Sequence, residues 1–263
     1  LLASFEQRFR VMTADTPDLL ERVYRLRYQV YCIENAFEDP GAFPDGLETD
    51  AYDAASAHSL MVDRHTGAAM GAVRIVLPRP GAVDRSFPVQ QVCNDRRLHD
   101  PNLLPLERMG EVSRFCISKD FRRRHQVGQA KLGLIRAAIA MTVANGLTHW
   151  AAAMEPWLLR LLRRLGIVFD PVGPPISYHG RRQPAMVALR PMLERVWRER
   201  PDVWMVITAR GSLWLELCRL ENRPAVLPDA GAIPVFGGLM ATGAADRGAD
   251  QPSPSEVAGR QAA

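Results

Sequence analysis

The chain has 263 residues, 47% of them hydrophobic and 24% charged, with a formal net charge of +4 and a pI near 9.1. That length and apolar content suffice to bury one full core and permit one large domain or two small ones, of which a single domain plus a tail fits best. Four cysteines, at 32, 93, 116 and 218, have no C-x-x-C pair and no regular spacing, so they point to neither a disulfide framework nor a metal site, and the reducing cytoplasm is the expected compartment.

No apolar run reaches the roughly 18 residues of a spanning helix, so no transmembrane segment is expected. The amino terminus, Leu1-Leu2-Ala3-Ser4-Phe5-Glu6, lacks the basic-then-apolar plan of a signal peptide. It opens on Leu rather than Met, which points to native residues preceding it.

In chain order, Phe5 to Met12 alternates in part and reads as a first strand. Thr16-Pro17-Asp18 then opens a helix running to about Val30, with Leu20, Val23, Tyr24, Arg27 and Tyr31 spaced by three and four on one face. Residues 32 to 57 read as a long loop with turn signals at Pro40-Gly41 and Pro44-Asp45-Gly46; a loop of that length in a compact domain is more often functional than idle. His58 to Asp63 and Gly71 to Leu77 form a predicted antiparallel hairpin. Gly110 to Ser118 is a third strand, followed by a helix from about Gln126 to Asn145 that Gly146 ends. His149 to Met154 is a strand, Trp157 to Leu165 a short helix, and a last strand falls within Ala185 to Leu189. The sum is a mixed α/β layer over residues 1–222. Past 223 the character changes: 21 of the last 40 residues are Ala, Gly or Pro, and this stretch, 223–263, is expected to be a flexible tail.

Charge is unevenly spread. Residues 34 to 53 hold seven acids and no base, whereas 119 to 136 carry six bases against one acid. Seven charged residues also sit on or beside apolar runs: Arg27, Glu48, Asp50, Asp53, Arg74, Glu111 and Arg114. Hydrophobic neighbours draw them inward, where an unpaired ion costs several kcal/mol, so they must meet one another or a polar ligand. Four carboxylates against three guanidinium groups leave one negative charge over, the signature of an acid-rich pocket for an ammonium or other cation. Read without further context, the arginines are as readily a structural ion network as a site.

Leu26-Arg27-Tyr28-Gln29-Val30-Tyr31, Glu48-Thr49-Asp50-Ala51-Tyr52-Asp53, Gly71-Ala72-Val73-Arg74-Ile75 and Glu111-Val112-Ser113-Arg114-Phe115, in that order, resemble the acyl-homoserine-lactone synthases and the N-acyl amino acid synthases related to them. The set resembles still more the acyltransferases associated with exosortase and PEP-CTERM systems, a branch of the GNAT superfamily, and the match runs from residue 5 to about 190. The resemblance implies a GNAT-like fold: a mixed central sheet flanked by helices and splayed open between two strands, with an acyl thioester in the gap. It also implies a fatty acyl group passing from acyl carrier protein to an amine. Arg27, Asp50, Asp53, Arg74 and Arg114 would then shape the acceptor side together with Phe37, which stands where lactone synthases carry a Trp in their S-adenosylmethionine pocket. Phe115 and Cys116 would flank the thioester. The GNAT phosphate loop is present in degenerate form as His125-Gln126-Val127-Gly128-Gln129-Ala130, which hints at carrier-bound phosphopantetheine rather than free coenzyme A as the donor, with no bound cofactor.

Thioester aminolysis needs a deprotonated amine, a donor for the oxyanion and close alignment, and no metal. Glu111, raised in pKa by neighbouring carboxylates, is the expected base and Glu48 the reserve. Gly128 with Arg124 forms an anion cradle near a helix start. Arg122 and Arg123, and the stripe Arg160, Arg163 and Arg164, are candidate docking groups for an acidic carrier. Met141, Met154, Trp150 and Trp157 are candidate tunnel residues, though such spacings usually only fill a core. Cys116, between Phe and Ile, reads as inert core rather than nucleophile.

The leading expectation is an acyl-carrier-dependent N-acyltransferase acting on an amino acid. Its rivals are a lactone synthase using S-adenosylmethionine and a non-catalytic sensor of acylated carrier. Nucleic-acid binding is set aside, because no reading helix is recognisable and no aromatic platforms are interleaved with the bases.

Overall fold

In the computed structural model the described residues are 2–124, 127–178 and 180–227, without the side chains of 122–124 and 127. They lie in one compact unit, Leu1–Ala230. The sheet runs in the order β1 (Phe9–Thr13), β2 (Ser56–Asp63), β3 (Ala69–Val76), β4 (Met109–Ile117), β5 (His149–Met154), β8 (Arg181–Ala188), β6 (Asp170–Pro171), with β7 (Ile176–Ser177) also paired to β8. Every pairing is antiparallel except β4 with β5. The fold is thus the expected mixed, helix-flanked sheet.

Helices cover both faces because each central strand is apolar on both sides. Val73, Ile75 and Val112 face α5 (Val127–Ala144) and the main core, while Leu60, Ala72 and Cys116 pack against α2 (Pro17–Tyr28). Pro17 at the first turn and the Thr16 hydroxyl, which accepts from the Leu19 amide at 3.4 Å, start α2. Its end runs on into a π-helical turn, Gln29–Glu34, a widening that often marks functional sites. The predicted long loop follows, irregular apart from short 3₁₀ turns at Pro40–Ala42 and Asp53–Ala55.

The first predicted strand is wrong in part. Leu2–Arg8 is a helix, α1, and only Phe9–Thr13 is strand. Packing decided between two short readings: Phe5 sits over Gly133 of α5, where an added Cβ would fall 2.6 Å from the Phe5 ring, and its ring meets Phe9 at 5.4 Å. The hairpin, β4, α5, β5 and α6 (Pro156–Arg164) lie within a few residues of their predicted ranges. A short helix, α3 (Pro88–Val92), a single turn α4 (Lys119–Arg124) and three helices beyond the sheet, α7 (Leu189–Glu199), α8 (Pro201–Ile207) and α9 (Ser212–Leu220), were not anticipated. The last three close the main core with Leu193, Val196, Val203, Ile207 and Leu217. Among the described residues no helix is long and apolar enough to cross a membrane. The predicted tail lies outside the described residues from 228 onward.

Candidate active site

The sheet opens where it was expected to. β4 and β5 pair only through Met109–His149, Gly110–Trp150 and Glu111–Ala151, and beyond that point the two strands part. The cause is local to β4. Arg114 has φ +50°, and Arg114 and Phe115 together stand opposite the single residue Val73 of β3. An extra residue of this kind bends and twists its strand, so the β4 edge from Val112 to Ile117 turns away from β5 and has no strand partner there. The bulge also sends two successive side chains, Ser113 and Arg114, toward the α2 side. Ser113 Oγ accepts from Arg74 Nε at 3.0 Å and Arg114 Nη2 meets Glu48 at 2.9 Å.

A cavity of about 320 Å³ passes through this gap. On the α2 side its mouth is polar: Glu38, Arg74, Glu111, Ser113, Arg114, Tyr178 and Arg182 line it, with Tyr31 and Phe37. On the α5 side its far end is apolar, formed by Val112, Ile135, Ala138, Trp150, Leu162, Ile167 and Phe169. Phe37 and Trp157, 39% and 50% exposed, stand at the entrance, whereas the far lining is almost wholly buried. Of the four candidate tunnel residues, Trp150, Met154 and Trp157 line the cavity; Met141 belongs to the core.

Six of the seven predicted charges form one network, with Arg27, Glu48, Asp53 and Arg74 buried and Asp50 and Arg114 partly so. Arg27 donates to Glu48 and to both oxygens of Asp53, at 2.7 and 3.1 Å for the latter. Arg74 Nη1 lies 2.6 Å from both Asp50 and Asp53, and Arg114 lies 2.9 Å from Glu48 and 3.0 Å from Asp50. The Asp50 amide adds a 2.7 Å bond to Asp53. Burial alone would raise the pKa of Asp53, yet the hydrogen bonds and charges of the arginines win and hold it at about 2. Glu48 is likewise opposed by burial and pulled down by Arg27 and Arg114. Both of its oxygens are engaged by guanidinium groups and it does not line the cavity, so its geometry is that of a strut and not of a base.

The six residues balance, three guanidinium groups against three carboxylates, and Glu38, 3.7 Å from Arg114, joins them as a fourth acid. The charged lining of the cavity is Glu38, Glu111 and Glu155 against Arg74, Arg114, Lys131 and Arg182.

Glu111 is the seventh residue and stands apart. It makes no ion pair within 4 Å among the described residues; its Oε2 accepts from the Val89 amide at 2.7 Å. At 3% exposure its pKa is pushed up to about 7, chiefly by burial. The Val89 amide and the arginines oppose the shift, and the charge of Asp50 adds to it less than any of them. The elevation expected from sequence is present, but its origin is desolvation rather than repulsion between carboxylates. A carboxyl group titrating near neutrality in a cavity wall can take a proton and return it.

Phe115 and Cys116 lie on the unpaired edge of β4 and line the cavity. Burial pushes the Cys116 thiol up to about 12, so it is protonated and unreactive. We expect Cys116→Ala to retain turnover and the folded protein to resist thiol-labelling reagents at this position, measured by mass spectrometry of the labelled chain. Gly128, in the first turn of α5, is exposed and has open space around it, while Lys131 one turn on lines the cavity. Arg160, Arg163 and Arg164 share the exposed face of α6. The side chains of Arg122, Arg123 and Arg124, and His125 and Gln126, lie outside the described residues.

Sequence reasoning did not find Tyr178, Arg182, Ile167 or Phe169. Arg182 sets its guanidinium 5.7 Å from the Phe37 ring and pairs with Glu155, bringing β8 and the loop after α2 to one rim.

A mixed sheet splayed beside a bulged strand, with a mixed polar and apolar cavity through the parting, is a GNAT-like α/β fold. Residues 26–130 match the model of the GNAT acetyltransferase domain. It is 27% identical over 162 residues to an acyl-homoserine-lactone synthase of Rhizobium radiobacter, covering 60% of this chain and 72% of that protein. The solved structure of TofI, in complex with an inhibitor and MTA, superposes with a TM-score of 0.54 at 20% identity, over 74% of this chain and 99% of that one. A CoA-dependent acyl-homoserine lactone synthase, BjaI, with SAM and isopentyl-CoA, gives 0.50 at 22% identity, over 78% and 89%.

Proposed function

We propose that this protein is an N-acyltransferase that moves a fatty acyl group from the phosphopantetheine thioester of acyl carrier protein to the amine of a small acceptor, an amino acid. The observation that carries the reading is the position of Glu111, a buried carboxyl titrating near 7 at the boundary between the polar mouth and the apolar end of a cavity that parts the sheet. The acyl chain occupies the apolar end, and the thioester carbonyl meets the unpaired β4 edge, whose backbone amides polarise it. The acceptor nitrogen enters from the polar side. As the C–N bond forms, Glu111 takes the nitrogen's proton; the C–S bond then breaks and that proton goes to the departing sulfur. Holding the two reactants on opposite sides of one strand supplies the alignment the reaction needs.

Arg74, Arg114 and Arg182 line the cavity beside Glu38 and Glu155, a mixed set of donors and acceptors that suits an acceptor carrying both an amine and a carboxylate. Arg160, Arg163 and Arg164 on α6, close to Trp157 at the entrance, suit an acidic carrier. The kinship to acyltransferases associated with exosortases, read from the motifs, belongs to the same proposal and makes a modified cell-surface or signalling lipid the product.

Lactone formation from S-adenosylmethionine is the second reading, favoured by the Rhizobium radiobacter relative. Against it stands Phe37, whose ring is already occupied by the Arg182 guanidinium and so offers less to a sulfonium. Incubation with acyl carrier proteins of several chain lengths or acyl-CoA, a pool of amino acids and S-adenosylmethionine, followed by mass spectrometry, decides. An acyl-amino acid is expected; a lactone overturns the acceptor assignment, and no released carrier thiol overturns catalysis in favour of a sensor. Reversing all three α6 arginines to Glu is expected to lower kcat/KM about 10-fold or more for acyl carrier protein and leave that for acyl-pantetheine unchanged.

A further inference from the structure

The apolar end of the cavity is walled in part by an indole that is held in place from outside the cavity. Trp150 projects from β5 next to the last residues that pair with β4, and its ring lies nearly parallel to that of Phe169, with an interplanar angle of 18° and 6.3 Å between centroids. Both rings line the cavity and both are buried. On its other side the indole Nε1 donates to the hydroxyl of Thr142 at 2.6 Å, and that hydroxyl donates its own hydrogen to the Ala138 carbonyl at 2.6 Å. Thr142 is fully buried on α5 and does not line the cavity.

Each polar atom of this chain is satisfied once: the hydroxyl has a single hydrogen, committed to the helix backbone, and a lone pair left for the indole. A buried indole N–H left without an acceptor costs about 1–3 kcal/mol, so the ring has one favourable orientation. Rotation away from it would break the bond to Thr142 and the stack on Phe169 together. The indole is thus a wall of fixed position, unlike flexible methionine or leucine side chains, which yield to a longer ligand.

We propose that Trp150 is the residue that sets the greatest acyl length this site accepts, and that Thr142 is a positioning residue that enforces the limit by locking the indole. The inference rests on the cavity's holding an alkyl chain, as the proposed function requires, and not on which amine is acylated.

The test is equilibrium binding of S-alkyl-pantetheine thioethers of increasing even-numbered chain length, read by calorimetry, alongside turnover with the corresponding acyl carrier proteins. The wild-type protein is expected to gain affinity with each added pair of methylenes up to a length at which affinity drops sharply. Trp150→Ala is expected to move that drop to longer chains, with a gain of about 10-fold for the first length the wild type rejects. Thr142→Val, which keeps the shape and removes the hydroxyl, is expected to blunt the drop by a comparable factor, and Thr142→Ser to restore it. Trp150→Phe, which keeps a ring without the N–H, serves if the alanine variant does not fold, and is expected to blunt the drop as Thr142→Val does. A cutoff at the same length and sharpness in the wild type, Thr142→Val and the folded Trp150 variants overturns the inference, as does the absence of any chain-length dependence in the wild type. Thioether binding with the expected cutoff but no turnover of any acyl carrier protein would instead overturn the proposed catalysis and leave the inference standing.

Discussion

Replacing Glu111 by Gln is expected to lower kcat/KM by about 10²–10⁴-fold, the usual worth of a positioned general base, while leaving the binding of acyl-pantetheine analogues unchanged. The amide keeps the side chain's size and can still accept from the Val89 amide, so packing is preserved and only proton transfer is lost. The pH dependence follows from the same group. With a pKa pushed up to about 7 by burial, the carboxylate form that accepts a proton prevails above pH 7 and falls away below it. The wild-type kcat/KM is therefore expected to rise tenfold per pH unit below about 7 and to level off above, measured with a saturating acceptor. A profile governed by an ordinary carboxylate, flat down to about pH 4.3, would remove Glu111 from the proton-transfer step.

Stability should move the opposite way. A carboxyl whose folded pKa lies above its unfolded value binds more protons in the folded state between the two, so its contribution is complete below the unfolded value and is lost as pH rises through about 7. The elevation from the ordinary Glu value to about 7 corresponds to about 3 kcal/mol at alkaline pH. Glu111→Gln is therefore expected to raise the melting temperature at pH 8 and to leave it nearly unchanged at pH 4. A variant that is more stable and inactive is what a site held at a cost to stability predicts, whereas a structural carboxylate would show the reverse.

How far the sequence discloses this site depends on the range over which each part is determined. The hairpin, β5 and the start of α2 are local matters of alternation, glycine and proline placement, and they emerge close to their observed bounds. The pairing of Arg27, Asp53 and Arg74 is legible for a different reason: ions set among apolar neighbours have few places to go. The same reasoning, applied evenly, put Glu111 into the network, and there it fails, because the register of β4 carries Glu111 past Arg74 to the Val89 amide. Nor does a one-dimensional pattern predict the back of the cavity. Phe169 follows α6 and reaches Trp150 only once β5 and the loop after α6 are packed together, and Tyr178 and Arg182 arrive on a hairpin whose register no local signal sets. α7 is another case: Leu189, Met192, Leu193 and Val196 carry a clear helical spacing that ends the domain with more helix than the sheet alone implies.

Asp53→Ala is expected to be the most destabilising single change in the site, by about 3–5 kcal/mol, because it leaves buried guanidinium groups without their shared partner. Asp53 accepts from both Arg27 and Arg74 and from the Asp50 amide, and Arg27 is fully buried, so no water can replace the lost carboxylate at that end. The sign of the pH effect is opposite to that of Glu111. A group depressed to about 2 contributes stability that is complete above its unfolded value near 4 and drains away as pH falls through about 2. The wild-type protein is thus expected to lose stability steeply between pH 4 and pH 2, and the Asp53→Ala protein, already missing that contribution, to lose less over the same interval in urea titrations. Replacing Arg27 and Glu48 together by Met and Leu offers the control. If the network serves only to fill space, the double variant will approach wild-type stability and keep its chain-length preference. If it serves to hold Arg114 and Arg74 at the mouth, as their contacts with Glu48, Asp50 and Asp53 indicate, stability will recover while the KM for the acceptor rises.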